Sequence, residues 1–446
     1  MNAESLVHRV LLLAVLCVVA ATVACGDDDD PSPNPGETHQ ASGHDGEHAG
    51  AWVEAVLERV EADGLSPPVA SRILGYTGIA LYESAVDTMP GHRSLGGQLR
   101  GLEEMPVADA DEVYDVVTVI DAAVGHLVPM LFADETSREE LVGIAESRLA
   151  TRYADGDVSF EVWERSQVRG VLIAEVLATR IHSDGYRSRN DEEFEAPDVD
   201  GAWVPTSDAD PLEPHWESLE PLVLEEADFC QPQPPVDYST SEDSAFYQQA
   251  RAVVDATPVQ GSEEEEIARF WADDPGETAT PPGHWMALAG QMIDDRQLNL
   301  AQTVELFAAV GIAVNDAFIS CWDEKYRSYL LRPETYIQNQ IDDEWQPTID
   351  APPFPEYTSG HSNVSGAAST VMTQILGEFS FEDRTHVDRG KSARSFESFE
   401  EAAREAGQSR IYGGIHYPMA NEAGLDQGRC VAEAVLEGVE FRVDGE

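Results

Sequence analysis

Apolar residues recur at three- to four-residue spacing along most of this 446-residue chain, and strand-like alternation is nearly absent. That spacing places apolar side chains on one face of an α-helix. The sequence therefore predicts an all-α fold, a helical bundle around a large core. The predicted helical segments are 51–60, 70–86, 113–131, 138–153, 160–181, 263–270, 285–294, 298–317, 362–376, 398–406 and 425–441.

Residues 186–262 interrupt this pattern with prolines, acidic residues and scattered aromatic residues. A long irregular segment in a compact domain is usually functional or wraps around the rest of the fold. We predict one helical domain over 51–446. It comprises N-terminal helices at 51–185, an irregular wrapping segment at 186–262 and a helical core with the chemistry at 263–446.

The N-terminus has the pattern of an export signal. An apolar run from Leu11 to Ala24 follows Arg9 and is short for a membrane span. It ends at Cys25 and resembles a bacterial lipoprotein signal, in which Cys25 would become the lipidated first residue. Thr22 stands where such signals usually have leucine, and ordinary cleavage after Ala24 is the alternative. Residues 1–24 are thus a predicted signal peptide of an exported protein, either a cell-envelope lipoprotein or a secreted or periplasmic protein.

Residues 25–50 are polar, rich in proline and glycine, and predict a disordered acidic linker. Its histidines lack a fixed scaffold, which favours solvated side chains over metal ligands. If Cys25 carries lipid, the mature chain keeps three other cysteines, Cys230, Cys321 and Cys430, so at most one disulfide forms. Which two of them pair stays open.

The charge balance excludes one class of partner. Acidic residues number 84 against 27 basic ones, a formal net charge of −57. Nucleic-acid phosphates require basic patches, so general nucleic-acid binding is excluded. The same charge disfavours docking onto anionic lipid, which leaves a lipid on Cys25 as the expected membrane contact. The acidity suits a saline habitat or the solubility of an exported protein.

Three short blocks in the last third carry chemistry-bearing residues. In the first, Lys325 and Arg332 lie almost two helical turns apart and are predicted to share a helix face. Pro333 places Arg332 near a helix end. The chain has only two lysines, so composition disfavours a chance lysine here. A surface ion pair with Asp323 or Glu324 is the alternative.

The second block is Ser359-Gly360-His361, which follows a proline-rich loop and precedes a run of small residues. A helix that begins here presents free backbone N–H groups and the positive end of its dipole, which together bind anions. Gly360 permits close approach, and His361 can transfer a proton. A capped helix with an incidental histidine is the alternative.

In the third block, Arg410 and His416 flank the pair Gly413-Gly414. On an unbroken helix these two side chains would face different directions, but the glycine pair predicts a break that lets them converge. Together the blocks supply three cations, a helix N-terminus, a serine hydroxyl and two histidines. This set suits a tetrahedral oxyanion.

The order K-x6-R-P, S-G-H and S-R-x5-H resembles the type-2 phosphatidic acid phosphatase superfamily, and more closely its vanadium-dependent haloperoxidase branch. Segments beginning at Trp203, Phe270 and Pro281 are similar to those of secreted bacterial members. The resemblance implies a helical bundle of the haloperoxidase and acid phosphatase type, with vanadate as cofactor. It also implies oxidation of halide by hydrogen peroxide to hypohalous acid, which halogenates small organic compounds.

The same resemblance implies roles for single residues. His416 would bind vanadium, and His361 would be the acid and base beside its apical oxygen. Lys325 would also make a peroxide oxygen electrophilic by hydrogen bonding. The residues that would bind the equatorial vanadate oxygens are Lys325, Arg332, Ser359, the Gly360 amide and Arg410.

Halide choice rests on two aromatic residues. Trp322 and Phe354 match positions in chloride-oxidising members, whereas bromide-specific members often carry histidine at the second position. We expect oxidation of bromide or iodide and leave chloride open; the alternative is that both rings only wall the pocket. His284 either reaches this pocket or is a structural loop histidine.

The sequence departs from the family pattern at two positions. Thr358 replaces the proline usual before Ser-Gly-His, and Ala420 replaces the aspartate that phosphatase members carry after the final histidine. The second change weakens a phosphatase hypothesis, in which His416 would be the nucleophile. It also leaves the partner of His416 open between Asn421 and a backbone carbonyl.

Two further points stay open in the sequence. Asp316 and Asp323 are both candidates to pair with the site arginines. A hypothesis of another class is a non-catalytic acidic surface lipoprotein that binds phosphate or cations.

Overall fold

Thirteen α-helices and one two-stranded hairpin make up residues 40–156, 158–189 and 193–443, which the computed structural model describes. The predicted signal peptide, Cys25 and His39 lie outside these residues. The helices are α1 Glu47–Ala62, α2 Pro67–Ala85, α3 Val116–Leu127, α4 Glu135–Ala154, α5 Phe160–Ser183, α6 Ala245–Asp255, α7 Glu263–Phe270, α8 Thr280–Arg296, α9 Leu300–Ser328, α10 Pro333–Gln340, α11 Gly360–Leu376, α12 Phe399–Tyr412 and α13 Pro418–Gly438. Strands β1 Phe381–Asp383 and β2 Arg394–Phe396 pair antiparallel. The all-α prediction is confirmed.

Polar side chains set the starts of the helices that carry the site. The Asn299 side chain accepts a hydrogen bond from the Gln302 backbone N–H, and the Gln302 side chain accepts one from the Asn299 backbone N–H. These two bonds form a capping box at the start of α9. Ser359 caps α11 in the simpler way, by accepting from the Ser362 N–H. These local signals fix where each helix enters the fold.

Helix α9 forms the centre of the core. Its apolar residues are buried on all sides, by α2 on one side and by α11 and α13 on another. By length and composition this helix could cross a membrane, but it is wholly buried, as a core helix is. At the contact with α2, a Cβ on Gly78 would lie 2.4 Å from the Phe307 carbonyl oxygen, so only glycine permits this approach.

The predicted irregular segment wraps around this core and is tied to it. Asp316, on α9, accepts hydrogen bonds from the backbone N–H groups of residues 222–224. A disulfide joins Cys230 to Cys430 on α13, and Cys321 is a buried free thiol. One part of the prediction is wrong, because residues 245–255 of the segment form helix α6.

The folded part of the chain begins earlier than the predicted boundary at residue 51. Ala41 is fully buried, and the Gly46 N–H donates to the Leu298 carbonyl. Helix α1 then starts at Glu47, and His48 contacts Asp121 at 2.8 Å. Residues 41–50 therefore belong to the fold, because their small and polar side chains find partners on other elements that a local pattern does not reveal.

Candidate active site

The second and third blocks line one cavity of about 820 Å³, and the first block lies behind its wall. The last turns of α9 and α12 carry Lys325 and Arg410, and His416 precedes α13. Arg332 is the residue just before α10, since α9 already ends at Ser328. The predicted shared helix face of Lys325 and Arg332 is therefore wrong, although a sharp bend still brings both side chains to this site.

The predicted site residues divide into two layers. The residues that line the cavity are Trp322, Phe354, Gly360, His361, Arg410 and His416. Lys325, Arg332 and Ser359 lie behind this surface and are fully buried. The structure thus brings these nine predicted site residues together at one cavity.

Lys325 is held by main-chain oxygens. Its Nζ donates to the carbonyls of Pro355, at 3.0 Å, Glu356, at 3.1 Å, and Thr358. An ammonium has three N–H groups, so all of them are used. The alternative of a surface ion pair is wrong, since Lys325 is fully buried. Asp323 and Glu324 pair with Arg327 instead.

The two arginines differ in how many of their N–H groups already donate hydrogen bonds within the protein. Arg332 donates to the carbonyls of Phe354 and Ile415, and its Nη1 lies 3.1 Å from His416 Nε2. Arg410 donates from Nη1 to the Trp271 carbonyl at 2.7 Å, while its buried Nε has no partner. Arg410 therefore faces the cavity with an uncommitted N–H group.

Acidic groups act on the three cations from a distance rather than in contact, Glu356 on Lys325 and Arg332, and Asp273 and Asp274 on Arg410. Among the residues that the structure describes, none of the three lies within ion-pair distance of a carboxylate, which corrects the expected pairing with Asp316 or Asp323. Burial lowers the pKa of Lys325 to about 7 and the pKa values of Arg332 and Arg410 to about 10. Buried charges are stable when they are paired, so this cluster requires an anion.

The start of α11 adds neutral donors. Ser359 Oγ accepts from the N–H and the hydroxyl of Ser362, so its own proton remains available. The N–H groups of Gly360 and His361 lie in the first turn, where a helix offers no acceptor. A Cβ on Gly360 would meet only ordinary contacts, the nearest at 3.7 Å from Trp322. Glycine at this position therefore serves the cavity rather than the packing.

Glu356 is the functional residue that the sequence analysis missed. Its Oε1 accepts from His416 Nδ1 at 2.9 Å and from the Tyr417 N–H at 2.8 Å. The proposed partners of His416 were wrong, because Asn421 bonds to Gly407 and Ser362. Burial raises the pKa of Glu356 to about 7. An acidic residue inside a loop of proline and aromatic residues was the available signal.

Both histidines of the site are neutral. Burial, then the charge of Arg410, lowers the pKa of His361 well below its usual value. Burial, then Arg332 and Lys325, lowers the pKa of His416 in the same way. With a proton on Nδ1 for Glu356, His416 has its lone pair on Nε2, the form that binds a metal. His361 Nε2 is buried and has no partner among the described residues.

Aromatic rings wall the site. The Phe354 ring centroid lies 4.9 Å from both Lys325 Nζ and the Arg332 guanidinium carbon, and 5.0 Å from the Trp322 ring. His284 does not line the cavity; it is buried between Asp273 and Asp383. The alternative of a structural histidine therefore describes His284.

Comparisons with known proteins agree with this arrangement. Residues 305–445 match the family model described as the VCPO second helical-bundle domain. The chain is 39% identical to the solved structure of a bacterial vanadium-dependent iodoperoxidase, with a TM-score of 0.84, over 90% of this chain and 98% of that one. No curated protein matches the chain.

More distant structures share the fold. The holo and apo forms of a bacterial vanadium-dependent chloroperoxidase are 14% and 12% identical, with TM-scores of 0.64 and 0.62. In both cases the match covers 85% of this chain and 95% of that one. At this identity the likeness concerns architecture alone.

Proposed function

The chain belongs to the vanadium-dependent haloperoxidases, whose cofactor is vanadate and whose substrates are hydrogen peroxide and halide, and we propose that it oxidises iodide and bromide. The observation that carries this proposal is the cluster of Lys325, Arg332 and Arg410, three buried cations without carboxylate partners, beside two neutral histidines. Such a cluster suits an anionic cofactor of tetrahedral shape.

The residues present fit vanadate. His416 Nε2 is the proposed ligand, because Glu356 holds the proton on Nδ1. Arg410 Nε, the Ser359 hydroxyl and the first N–H groups of α11 are uncommitted donors for its oxygens. When bound, vanadate supplies a Lewis-acid centre that activates hydrogen peroxide without a change of metal redox state.

Lys325 and Arg332 act from behind the cavity surface. Their donors are directed to carbonyls and, for Arg332, to His416 Nε2. With His416 Nε2 bound to the cofactor, Arg332 Nη1 would lose its bond to that nitrogen and would be free to donate to an oxygen of the anion. Both cations also stabilise negative charge electrostatically in a site with little water.

His361 is the proposed acid and base. Its Nε2 has no partner among the residues that the structure describes, and its low pKa keeps the ring neutral, so it can accept a proton from peroxide. In the protonated form it can return that proton when hypohalous acid leaves. The neighbouring Arg410 charge makes that return favourable.

The halide preference rests on the cavity wall and on the 39% identity to the iodoperoxidase reported above. Phe354 and Trp322 present rings rather than hydrogen-bond donors to an incoming ion. Desolvation costs less for a large anion than for a small one, so iodide and bromide enter a cavity with such a wall more easily than chloride does. The 39% identical structure is an iodoperoxidase, which supports the same choice.

The test is a halide-dependent peroxidase assay on protein loaded with vanadate. We expect triiodide formation and bromination of a dimedone probe, each dependent on peroxide, with His416→Ala losing activity by at least ~10²-fold. The control is Gly143→Ala on α4, where an added Cβ meets nothing within 4 Å. Hydrolysis of p-nitrophenyl phosphate without halide oxidation would favour the phosphatase hypothesis, for which the Glu356–His416 bond is suited.

We also propose that the protein is exported and carries lipid on Cys25. The apolar run that ends at Cys25 supports this, and so does the Cys230–Cys430 disulfide, since disulfides persist in oxidising compartments. Expressed with radiolabelled palmitate, the chain is expected to incorporate label, and Cys25→Ser to lose it. A chain without label in the culture medium would instead support cleavage after Ala24.

A further inference from the structure

Two histidines and two aspartates form a buried network beside the cavity, and one of them, Asp273, lines it. His284 lies between two carboxylates, with Nδ1 2.9 Å from Asp273 Oδ2 and Nε2 2.8 Å from Asp383 Oδ2. His386 Nε2 lies 3.0 Å from Asp273 Oδ1. Because carboxylates only accept, His284 carries protons on both nitrogens and is an imidazolium. Burial opposes this charge, but the two aspartates raise the pKa of His284 to about 10.

The network touches the site through one short turn. Asp273 follows Trp271 by two residues and has a left-handed φ of 49°, which a non-glycine residue adopts only when its surroundings hold it there. The indole ring of Trp271 stacks on the His284 ring, with centroids 4.4 Å apart and planes at 12°. His284 therefore holds this turn twice, through the Asp273 carboxylate and through the Trp271 ring.

The Trp271 carbonyl is where this turn meets the site residues. It accepts from Arg410 Nη1 at 2.7 Å. The same turn also acts on His361, because the Trp271 carbonyl and the Asp273 charge both tend to raise the His361 pKa against the larger effects of burial and of Arg410. The turn thus holds Arg410 directly and acts electrostatically on His361, the two side chains at the cavity with an uncommitted nitrogen among the described residues, Arg410 Nε and His361 Nε2.

We propose that His284 is a positioning residue for vanadate binding and proton transfer: its imidazolium clamps the Trp271–Asp273 turn and so aims Arg410 and His361. This inference rests on the proposed roles of Arg410 and His361. His284 itself does not line the cavity and touches no reacting atom.

The same side chains raise a competing possibility, a metal centre. Ligand-type atoms of Asp273, His284 and His386 lie within 4.8 Å of one another. However, both nitrogens of His284, both carboxylate oxygens of Asp273 and His386 Nε2 already have a hydrogen-bond partner within the network at 2.8–3.0 Å, whereas His386 Nδ1 is buried without one among the described residues. A proton on each nitrogen that faces a carboxylate accounts for these contacts without a metal ion. A bound metal is one of the outcomes that the experiment below distinguishes.

The test compares vanadate binding by calorimetry in His284→Gln and the unaltered protein, both freed of vanadate. Glutamine cannot bridge two carboxylates as a cation, so we expect vanadate affinity to fall about 10- to 100-fold, as for other groups that orient ligands from behind. The NMR signals of the His361 ring nitrogens are expected to move as well. In loaded enzyme kcat should fall more than KM for peroxide rises, because proton transfer is misaligned.

The matched control is His48→Gln. It breaks a histidine–aspartate contact of the same 2.8 Å length, to Asp121, away from the cavity. We expect its vanadate affinity and His361 signals to stay within about twofold of the unaltered protein, since only general stability changes. If His284→Gln does not fold, Asp383→Asn removes one carboxylate of the clamp while an amide oxygen can still accept from Thr385.

Three outcomes overturn the inference and remain distinct from failure of the proposed function. The first is a folded His284→Gln or Asp383→Asn variant with unchanged vanadate affinity and His361 signals. The second is an equal loss in His48→Gln. The third is one zinc or similar ion per chain whose removal by chelator weakens vanadate binding. If the unaltered protein binds no vanadate, the proposed function fails instead.

Discussion

At the scale of single residues, the site depends on groups that have no hydrogen-bond or ion-pair partner in the described part of the chain. Arg410 Nε and His361 Nε2 are buried and uncommitted, and three cations lie together without a carboxylate in ion-pair contact among the described residues. A protein interior tolerates such groups only where a ligand completes them. Residue substitutions at this site should therefore affect anion binding more than folding.

Gly360→Ala separates binding from folding. The new Cβ would meet only ordinary contacts, 3.7–4.0 Å from Trp322, Phe318 and Lys325, so the melting temperature should stay nearly unchanged. The methyl group would occupy cavity space beside the helix N-terminus, and vanadate affinity should fall by at least ~10-fold, about 1.4 kcal/mol. Calorimetry checks this, with Gly143→Ala as the control. Normal affinity would show that the anion does not approach Gly360.

Glu356→Gln tests the partner of His416. Glutamine keeps an acceptor for Tyr417 but loses the charge that favours a proton on His416 Nδ1. We expect vanadate affinity to fall about 10- to 100-fold. Glu83→Gln is a close control, because Glu83 is also buried, accepts a backbone N–H and has a pKa that burial raises to about 7. Equal effects of both variants would contradict a specific role of Glu356.

At the scale of elements, the site is positioned by close helix packing. Helix α11 presents its N-terminus to the cavity because α13 approaches it at glycines. Gly424 and Gly428 each leave no room for a Cβ, which would lie 2.7 Å from the Ser359 carbonyl and 2.0 Å from the Asn363 carbonyl. The sequence shows these two glycines of α13 but not that they lie against the backbone at the start of α11.

Gly428→Ala should therefore disturb both stability and the site. The methyl group overlaps the α11 backbone, and such overpacking costs about 1–3 kcal/mol of unfolding free energy. Vanadate affinity should also fall, because α11 carries Ser359, Gly360 and His361. Denaturant unfolding and calorimetry measure the two effects. Unchanged stability would mean that α13 is less closely packed against α11 than described.

The His284 network links α8 to the β1 strand and has a defined pH dependence. The folded-state pKa of His284, about 10, exceeds the ordinary histidine pKa of 6.5, so its contribution to stability is complete below pH 6.5 and is lost as pH rises through 10. The pKa values of Asp273 and Asp383 lie below 3.8, so their contribution is lost only as pH falls below that value. The stability difference between the unaltered protein and His284→Gln should shrink from pH 6.5 to 10. A constant difference would contradict an imidazolium.

At the scale of the whole molecule, the excess of negative charge opposes both folding and the approach of anions. A net charge of −57 repels itself, and the repulsion weakens as salt shortens the Debye length from ~10 Å at 0.1 M to ~3 Å at 1 M. The Cys230–Cys430 disulfide, which closes 200 residues of chain, opposes this repulsion by restricting the unfolded state.

We predict that the melting temperature rises between about 0.1 M and 1 M sodium chloride, because screening removes self-repulsion from the folded state. Calorimetric scans measure this. The His416→Ala variant is the control for chloride that binds in the cavity and should show the same rise. A melting temperature that falls or stays level in both proteins would mean that ion pairs already balance the acidic surface.

The sequence by itself determined the helical class, and it predicted the three blocks of residues that the structure brings together around one cavity. Apolar spacing identifies helices because burial of one face drives their formation. The set of cations, glycine and histidines implies an oxyanion because few other ligands require all of these groups. Only the tertiary structure decided which residues face one another. It replaced Asn421 by Glu356 as the partner of His416, paired Cys230 with Cys430, and placed Lys325 and Arg332 behind the cavity wall. These contacts join residues distant along the chain, and they follow from the packing of whole helices, which no local pattern contains.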